Sequence, residues 1–323
     1  MSAAGRGTDV LRVGISACLL GREVRWDGGH KRDPLLNDML ADAVEWIPVC
    51  PEVESGMPVP REPIHLERRS GGTIGLVGVG SGIDHTRAME RFARGRVRQL
   101  QRAGLDGFVC KAGSPSCGLH DVKIHRETGR PLRQGRGLFA AALARALPAL
   151  PVEDEGRLHD PALRENFIER LFARQRLRAL FSRRFSMARL VAFHSEHRLQ
   201  LRAHGKSAPR PIDRLLAGAR GRPAAEIRSG YTARFMRALS RIATRDDHAN
   251  ALEHAAGQLV EQLDAASRRE LADEIRAYRR GRAPLLVPVT LLRHHVRVHR
   301  VAALVGQTYL EPHPREWMLR NPG

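Results

Sequence analysis

The residues of this chain with the most distinctive chemistry are its four cysteines, Cys18, Cys50, Cys110 and Cys117. The first residues, MSAAGRGTDVLRVG, contain neither the apolar core of a secretory signal nor an Arg- and Ser-rich amphipathic stretch, so we expect a cytoplasmic protein. Disulfides are rare in that reducing compartment. The sequence therefore favours metal binding or catalysis as the use of these thiols.

Three of the cysteines follow segments that are typical of β-strands. Cys18 ends the strand in VGISACLLG, Cys50 ends WIPVCPE, and Cys117 lies in the loop KAGSPSCGL after the strand GFVC. Thiolates that converge from three strand ends could hold a [4Fe–4S] cube and leave one iron open as a Lewis acid. Spacing this wide is a weak signal, however, and by itself it favours structural cysteines in a core.

The elements that would position these residues alternate between strands and helices. LRVGISACLL, GGTIGLVGVG and DGFVCKAGS resemble strands, whereas HTRAMERFARGRVRQLQRAG and GLFAAALARALPAL have helical periodicity. Such alternation predicts βαβ units in an α/β domain with a mostly parallel, Rossmann-like sheet. Functional sites in such sheets lie at the carboxyl ends of the strands.

A second domain follows from the length of 323 residues, because single cores usually stop growing near about 250 residues. The stretch 147–161, LPALPVEDEGRLHDP, is proline-rich and acidic, as a linker would be. We therefore predict domains at 1–155 and 156–323. Beyond the linker, apolar residues recur at helical spacing, which predicts an all-α C-terminal domain.

The charge of the chain is strongly basic, at +19. Residues 1–150 contain 22 basic and 16 acidic residues, and residues 151–323 contain 32 and 19, so the second half carries the larger excess. A basic field attracts polyanions, which makes a nucleic acid the expected partner. Only four of the 54 basic residues are Lys, so codon bias could also account for part of the arginine excess. No apolar run is long enough to span a bilayer, and we expect no membrane association.

Three motifs in the first half carry a resemblance to a known family. They are ISACLLGREVRWDGGHKRD, VCPEVESGMPVPRE and KAGSPSCGLHDVKI, in that order. Together they resemble the thiouracil desulfurase family over roughly residues 10–150. The resemblance implies a [4Fe–4S] cluster with three cysteine ligands, Cys18, Cys50 and Cys117, and one open iron. Cys110 stands where the family usually has an aliphatic residue, so we interpret it as an apolar strand residue.

The resemblance also implies a non-redox reaction in which the open iron captures sulfur from a thiocarbonyl while water replaces it. Glu52 is the carboxylate nearest in sequence to a ligand and is our candidate general acid/base, although it could instead cap a turn. Ser114 and Ser116 could bind the heteroatom edge of the substrate, and we favour Ser114 for the catalytic role. Arg25 and Asp27 could bind substrate or stabilise the loop after Cys18.

The second half resembles a helical domain of long-unassigned function that occurs alone or fused behind the desulfurase domain. The segments that carry this resemblance are FHSEHRLQLRAH, YTARFMRALSRIATRDDHANALEHAAGQL, YRRGRAPLLVPVTLLRHH and QTYLEPHPREWMLRN. The fused pair resembles bacterial desulfidases that convert 4-thiouridine in tRNA to uridine, which implies that the helical part holds tRNA. Candidate RNA-binding residues are Arg198, Arg202, Arg279, Arg280, Arg293, Arg297 and Arg300, although each charge cluster could be only a solvated face.

Two other functions remain open at this point. The first is a desulfidase of free thiouracil bases, with the helical domain used for oligomerisation. The second is a non-catalytic iron–sulfur sensor that binds nucleic acid, although no clear helix-turn-helix pattern supports it.

Overall fold

The computed structural model describes residues 10–39, 44–126 and 130–314. The chain divides into two compact units, Met1–Asp160 and Pro161–Gly323. The first unit contains all the described strands, and the second unit is built from helices. The predicted order of an α/β domain followed by an all-α domain is therefore confirmed.

The main sheet of the first unit is parallel and carries the predicted cysteine strands. Its strands are β1 (Leu11–Ser16), β2 (Val44–Val49), β5 (Gly107–Cys110) and β8 (Val152–Asp154). They are arranged in the order β2-β1-β5-β8. The carboxyl ends of β2, β1 and β5 therefore lie side by side.

A second sheet, which the sequence did not predict as separate, contains antiparallel pairs. Its strands are β3 (Ile64–Arg68), β4 (Ile74–Gly78), β6 (Val122–His125) and β7 (Leu132–Gly135), in the order β4-β3-β6-β7. The pairs β3–β4 and β6–β7 are antiparallel, and β3–β6 is parallel. The short connection between β3 and β4 accounts for this difference, because parallel neighbours need a long crossover.

Helices pack on the strands through regularly spaced apolar residues. The helices of this unit are α1 (Pro34–Met39), α2 (Pro51–Glu54), α3 (Thr86–Ala103) and α4 (Leu138–Ala146). On α3, Met89, Ala93, Val97 and Leu100 are spaced by three or four residues and are buried in the core with Phe108 of β5. The core joins these helices to the sheet whose strand ends carry the cysteines, and it also includes Leu66, Leu76 and Ile124 of the second sheet.

The stretch that we predicted to be a linker is instead partly a strand. Residues Val152–Asp154 form β8, which pairs with β5, and a 3-10 helix follows at Glu155–His159. Asp154 and Glu155 are both buried. The prediction was wrong here because β8 has only three residues, two of which are acidic, and so shows no apolar periodicity.

The second unit consists of seven described helices. They are α5 (Pro161–Ser182), α6 (Met187–Ala203), α7 (Arg210–Ala217), α8 (Ala224–Leu239), α9 (Arg245–Gly257), α10 (Ala265–Arg279) and α11 (Leu286–His299). Polar caps start several of them: Ser186 accepts a hydrogen bond from the Arg189 N–H, and Thr244 forms a capping box with Asp247. Within the described ranges, no helix has the length and apolar character needed to cross a bilayer.

Candidate active site at three strand ends

The three predicted ligand cysteines line one cavity of the first unit. Cys18 lies in a 3-10 turn directly after β1, Cys50 directly follows β2, and Cys117 lies in the loop beyond β5. The cavity has a volume of about 230 Å³. It opens where three adjacent parallel strands end, which is the expected place for a site in such a sheet.

All four cysteines are free thiols, but Cys110 is placed differently from the other three. It is the last residue of β5, is fully buried and packs in the hydrophobic core. Cys110 does not line the cavity. Its position agrees with the interpretation of Cys110 as an apolar strand residue.

Burial disfavours the free thiolate form of the three cavity cysteines. Burial, and to a lesser extent the nearby Cys50 thiol, raise the pKa of Cys18 to about 11. Burial also raises the pKa of Cys50 and of Cys117. Free thiols in this cavity therefore stay protonated at neutral pH. Coordination to a metal deprotonates a thiol, and the positive charge of the metal removes the energetic penalty of burying the thiolate.

The geometry does not suit a single metal ion. No group of three or more His, Cys, Asp or Glu side chains within the described ranges could hold one ion. A four-iron cube binds each thiolate at a different corner, so its ligands stand farther apart than the ligands of one ion. Three cysteine thiols that line one cavity are the kind of donor set that an iron–sulfur cluster takes.

Glu52 is hydrogen-bonded to the loop that carries Cys117. Its Oε1 accepts a 2.7 Å hydrogen bond from the Ser116 hydroxyl, and its Oε2 pairs with the Arg61 guanidinium, whose Nε lies 3.1 Å away. The Ser116 Oγ lies 3.0 Å from the Ser114 Oγ and 3.7 Å from the Cys117 Sγ. The predicted acid/base residue and both predicted serines thus form one connected network beside a candidate ligand.

The two serines have different positions in that network. The Ser114 Oγ accepts hydrogen bonds from the backbone N–H groups of Ser116, at 3.3 Å, and of Cys117, at 3.1 Å. These hydrogen bonds stabilise the backbone of the loop. Ser116 is fully buried and bridges Ser114 to Glu52, so it is as well placed as Ser114 for the chemistry.

The loop that carries Cys117 is held by the start of α4 and by β8. Backbone N–H groups of Leu138 and Phe139 donate to the carbonyls of Pro115 and Ser116. This approach requires Gly137, because a Cβ there would lie 2.4 Å from the Ser116 carbonyl carbon and oxygen. Asp154 accepts hydrogen bonds of 2.9 Å from the N–H groups of Leu119 and His120.

The structure gives different positions to Arg25 and Asp27, whose roles the sequence left open. Arg25 lines the cavity together with its neighbour Trp26, whereas Asp27 lies outside it. The Asp27 Oδ1 accepts a 3.1 Å hydrogen bond from the Gly29 N–H and lies 3.4 Å from the Arg25 Nε. The hydrogen bond from Gly29 holds the pKa of Asp27 below its usual value. Asp27 thus stabilises the turn, and Arg25 faces the cavity.

Sequence reasoning missed Lys111, Arg61 and Glu155. The Lys111 ammonium lines the cavity and pairs with Glu155, whose Oε2 also accepts a 2.5 Å hydrogen bond from the Ala112 N–H. Both residues directly follow strands, Lys111 after β5 and Glu155 after β8. Recognition of β8 as a strand would have placed Glu155 beside the site.

Several of the arginines predicted to bind RNA are engaged with acidic partners of the second unit. Arg198 lies 3.0 Å from Asp213, Arg279 lies 2.7 Å from Glu253, and Arg293 lies 3.2 Å from Glu311. The other members of that set are partly or fully exposed: Arg202, Arg280, Arg297 and Arg300. Their role in RNA binding stays a prediction.

Comparisons with known proteins agree with the motif assignments in both halves. Residues 13–155 match the family model described as 2-thiouracil desulfurase, and residues 198–314 match the one described as Protein of unknown function (DUF1722). Uncharacterized protein YbgA of Escherichia coli (strain K12) is 32% identical over 155 residues, which is 48% of this chain and 92% of that protein. Uncharacterized protein YbbK of Bacillus subtilis (strain 168) is 29% identical over 151 residues, 45% of this chain and 97% of that protein.

A solved structure, of the [4Fe-4S]-dependent thiouracil desulfidase TudS, is 32% identical, with a TM-score of 0.38, over 46% of this chain and 94% of that one. The family matches confirm the resemblance that the sequence motifs carry. This chain belongs to the 2-thiouracil desulfurase family, with a DUF1722 domain fused behind its desulfurase domain.

Proposed function

We propose that the protein is a [4Fe–4S]-dependent, non-redox desulfidase that converts 4-thiouridine in tRNA to uridine. Membership of the 2-thiouracil desulfurase family supports desulfuration of a thiolated uracil as the reaction. The observation that carries the proposal is the hydrogen bond of 2.7 Å between Ser116 and Glu52, because it joins an acid/base group to the loop of a candidate cluster ligand.

The three cavity thiols, Cys18, Cys50 and Cys117, would hold the cluster. When bound there, the cluster would supply an open iron that acts as a Lewis acid toward the substrate sulfur. The positive side chains of Lys111 and Arg25 lower the pKa of Cys18 against the larger effect of burial. They would likewise favour the negative charge of three thiolates at this site.

The reaction replaces a C=S bond by a C=O bond, with water as the oxygen source and sulfide as the leaving group. Glu52 accepts a proton from the attacking water, since it is the carboxylate bonded to the ligand loop. Ser116 lies between Glu52 and Ser114 and relays a proton toward the heteroatom edge of the ring. Arg61 fixes the Glu52 carboxylate from the other side.

A tRNA substrate is supported by the distribution of charge. Residues 151–323 carry 32 basic and 19 acidic residues, and this excess favours binding of a polyanion. A desulfidase of free thiouracil would not need this charge. The two substrates are therefore distinguished by the dependence of activity on salt.

The test is anaerobic cluster reconstitution, followed by nucleoside analysis of tRNA that contains 4-thiouridine. We expect uridine to replace 4-thiouridine with release of one sulfide, and the rate to fall as salt rises. The Cys117→Ala variant is the matched control and should give no product. Turnover of free thiouracil without turnover of tRNA would overturn the tRNA assignment. A reconstituted cluster without turnover of either substrate would overturn the assignment as an enzyme.

A further inference from the structure

We propose that a groove of the helical unit binds phosphate groups of the RNA backbone. The groove has a volume of about 670 Å³ and lies between the loop after α6 and the C-terminal part of α8. It is lined by Arg234, Arg237 and Arg241, and by residues of the loop such as Gly205, Ser207 and Ala208. This inference rests on the proposed function, in which the substrate is tRNA, and it names the surface that holds that substrate.

The three arginines are spaced so that they face the same side. Arg234 and Arg237 lie on α8, and Arg241 lies two residues beyond its end at Leu239. Residues three or four apart are neighbours on a helix surface. The carboxyl end of a helix also carries the negative end of its dipole, which stabilises cations gathered there.

The bonding of these arginines leaves donors available for a ligand. The Arg241 Nη1 and Nη2 donate to the His204 carbonyl at 2.9 Å and to Asp247 at 2.8 Å, so its guanidinium is fixed in place. The Arg234 Nη1 donates to the Gly230 carbonyl at 3.0 Å. Among the described residues, Arg237 has no side-chain hydrogen bond or ion pair, and it is exposed.

The rest of the lining points to a phosphate ligand and not to a base. No Asp, Glu, Phe, Tyr or Trp is among the described residues that line the groove, and the imidazole of His204, which does line it, is buried and bonded to the Arg241 carbonyl and to Glu169. Recognition of bases on single-stranded RNA relies on stacking against aromatic rings, whereas the planar guanidinium fork matches phosphate oxygens. The small residues Gly205, Ala208 and Ala233 allow a ribose–phosphate chain to approach closely.

This groove differs from the arginines that the sequence singled out. Arg198, Arg279 and Arg293 are each paired with a carboxylate, so binding a phosphate there would first require those ion pairs to separate. Of the three groove arginines, only Arg241 has a carboxylate partner in the part of the chain that the structure describes. Arg234 and Arg237 can therefore bind an anion without first breaking an ion pair. Arg202, Arg280, Arg297 and Arg300 share that freedom, but the groove brings such arginines together around one cavity lined by small residues.

The test measures binding of an unmodified tRNA transcript to the full chain over a range of salt concentrations. We expect the Arg234→Ala/Arg237→Ala variant to weaken binding at least about tenfold and to flatten the log–log salt dependence by about two units, one for each lost phosphate contact. The matched control is Arg268→Ala/Arg269→Ala, which removes two exposed arginines of α10 and the same charge. The control should change the affinity less than about twofold.

Three results would overturn the proposal. The first is binding by the groove variant that equals the wild type, and the second is an equal loss in both variants, which would indicate a diffuse charge effect. The third is saturable binding of uridine 5′-monophosphate that the groove substitutions abolish while tRNA binding persists, which would assign the groove to a free nucleotide.

The binding experiment is independent of the reaction, because the transcript contains no thiolated base. If the wild type desulfurates no substrate, the proposed function fails. The comparison of tRNA affinities still shows whether the groove binds the phosphate groups of RNA. If the wild type desulfurates tRNA and the groove variant binds normally, the groove assignment alone fails.

Discussion

The Ser116 hydroxyl donates a 2.7 Å hydrogen bond to the Oε1 of Glu52, although the two residues are 64 positions apart in the chain. Glu52 follows Cys50 after β2, and Ser116 precedes Cys117 in the loop after β5. The bond therefore connects the surroundings of two candidate cluster ligands through one carboxylate. Its consequences are testable separately from cluster binding.

Replacement of Glu52 by Gln should preserve the cluster and slow the reaction. The amide keeps the size of the side chain but cannot accept a proton, so we expect a loss on the order of 10²–10⁴-fold in turnover. Iron content and the visible spectrum should match the wild type. Glu45→Gln is the control, because Glu45 is an exposed glutamate that pairs with Arg12, and its rate should be unchanged. Near-normal turnover of Glu52→Gln would transfer the acid/base role to another group.

Replacement of each cavity cysteine by Ala should abolish the cluster. Cys18→Ala, Cys50→Ala and Cys117→Ala each remove one of three thiolates, so we expect loss of both the iron–sulfur absorption and the activity. Cys110→Ala should keep both, because Cys110 packs in the core and does not line the cavity. Analysis of iron and sulfide after anaerobic reconstitution measures the effect. A folded Cys110→Ala protein without iron would contradict the three-ligand assignment.

Replacement of Gly137 by Ala should displace the loop that carries Cys117. The added methyl group would lie 2.4 Å from the Ser116 carbonyl, which forces either the loop or α4 to move. We expect a loss of about 1–3 kcal/mol in the free energy of unfolding, together with poor cluster reconstitution. Denaturant unfolding and iron content are the measurements.

Gly95→Ala is the control for that substitution. Gly95 lies within α3, and a Cβ there would meet no atom within 4 Å other than its chain neighbours and the nearby backbone of its own helix. Alanine is favoured over glycine inside a helix, so this variant should gain about 0.5–1 kcal/mol. Equal stability and equal iron content in the two variants would show that the Cys117 loop does not depend on Gly137.

The stability of the helical unit should fall in weak acid because of His197. Burial lowers the pKa of His197 to about 3, while an unfolded chain has a histidine pKa near 6.5. Between these values the unfolded state binds the extra proton, so stability is lost as the pH falls below about 6.5, by up to about 1.4 kcal/mol per pH unit. Burial lowers the pKa of His194 as well, in the same direction.

His197→Phe should reduce this acid sensitivity. The His197 ring stacks on Phe193 with 3.9 Å between ring centroids and contacts Phe235, so a second phenyl ring retains the packing without a titrating group. The free energy of unfolding is to be measured from pH 7 to pH 5 in wild type, in His197→Phe and in His299→Leu, which changes an exposed histidine. An unchanged slope in His197→Phe would contradict the assignment.

The sequence by itself determined the candidate ligands and the order of the two folds. Cys18, Cys50 and Cys117 stand in motifs whose neighbouring residues carry the resemblance to the desulfurase family. Strands and helices of ordinary length show their hydrophobic periodicity in the sequence itself. Glu52 was found because it lies two positions from Cys50. These features are local in the sequence, so they can be recognised without knowledge of the folded structure.

The tertiary structure decided what depends on pairing between distant segments. The partnership of Ser116 with Glu52, and that of Lys111 with Glu155, arise only when strands β2, β5 and β8 join one sheet. β8 was missed because three residues are too few for a periodic signal. The arginines show the same limit: Arg198 and Arg237 are equally basic in sequence, but only folding places Asp213 beside Arg198 and leaves Arg237 exposed in a groove.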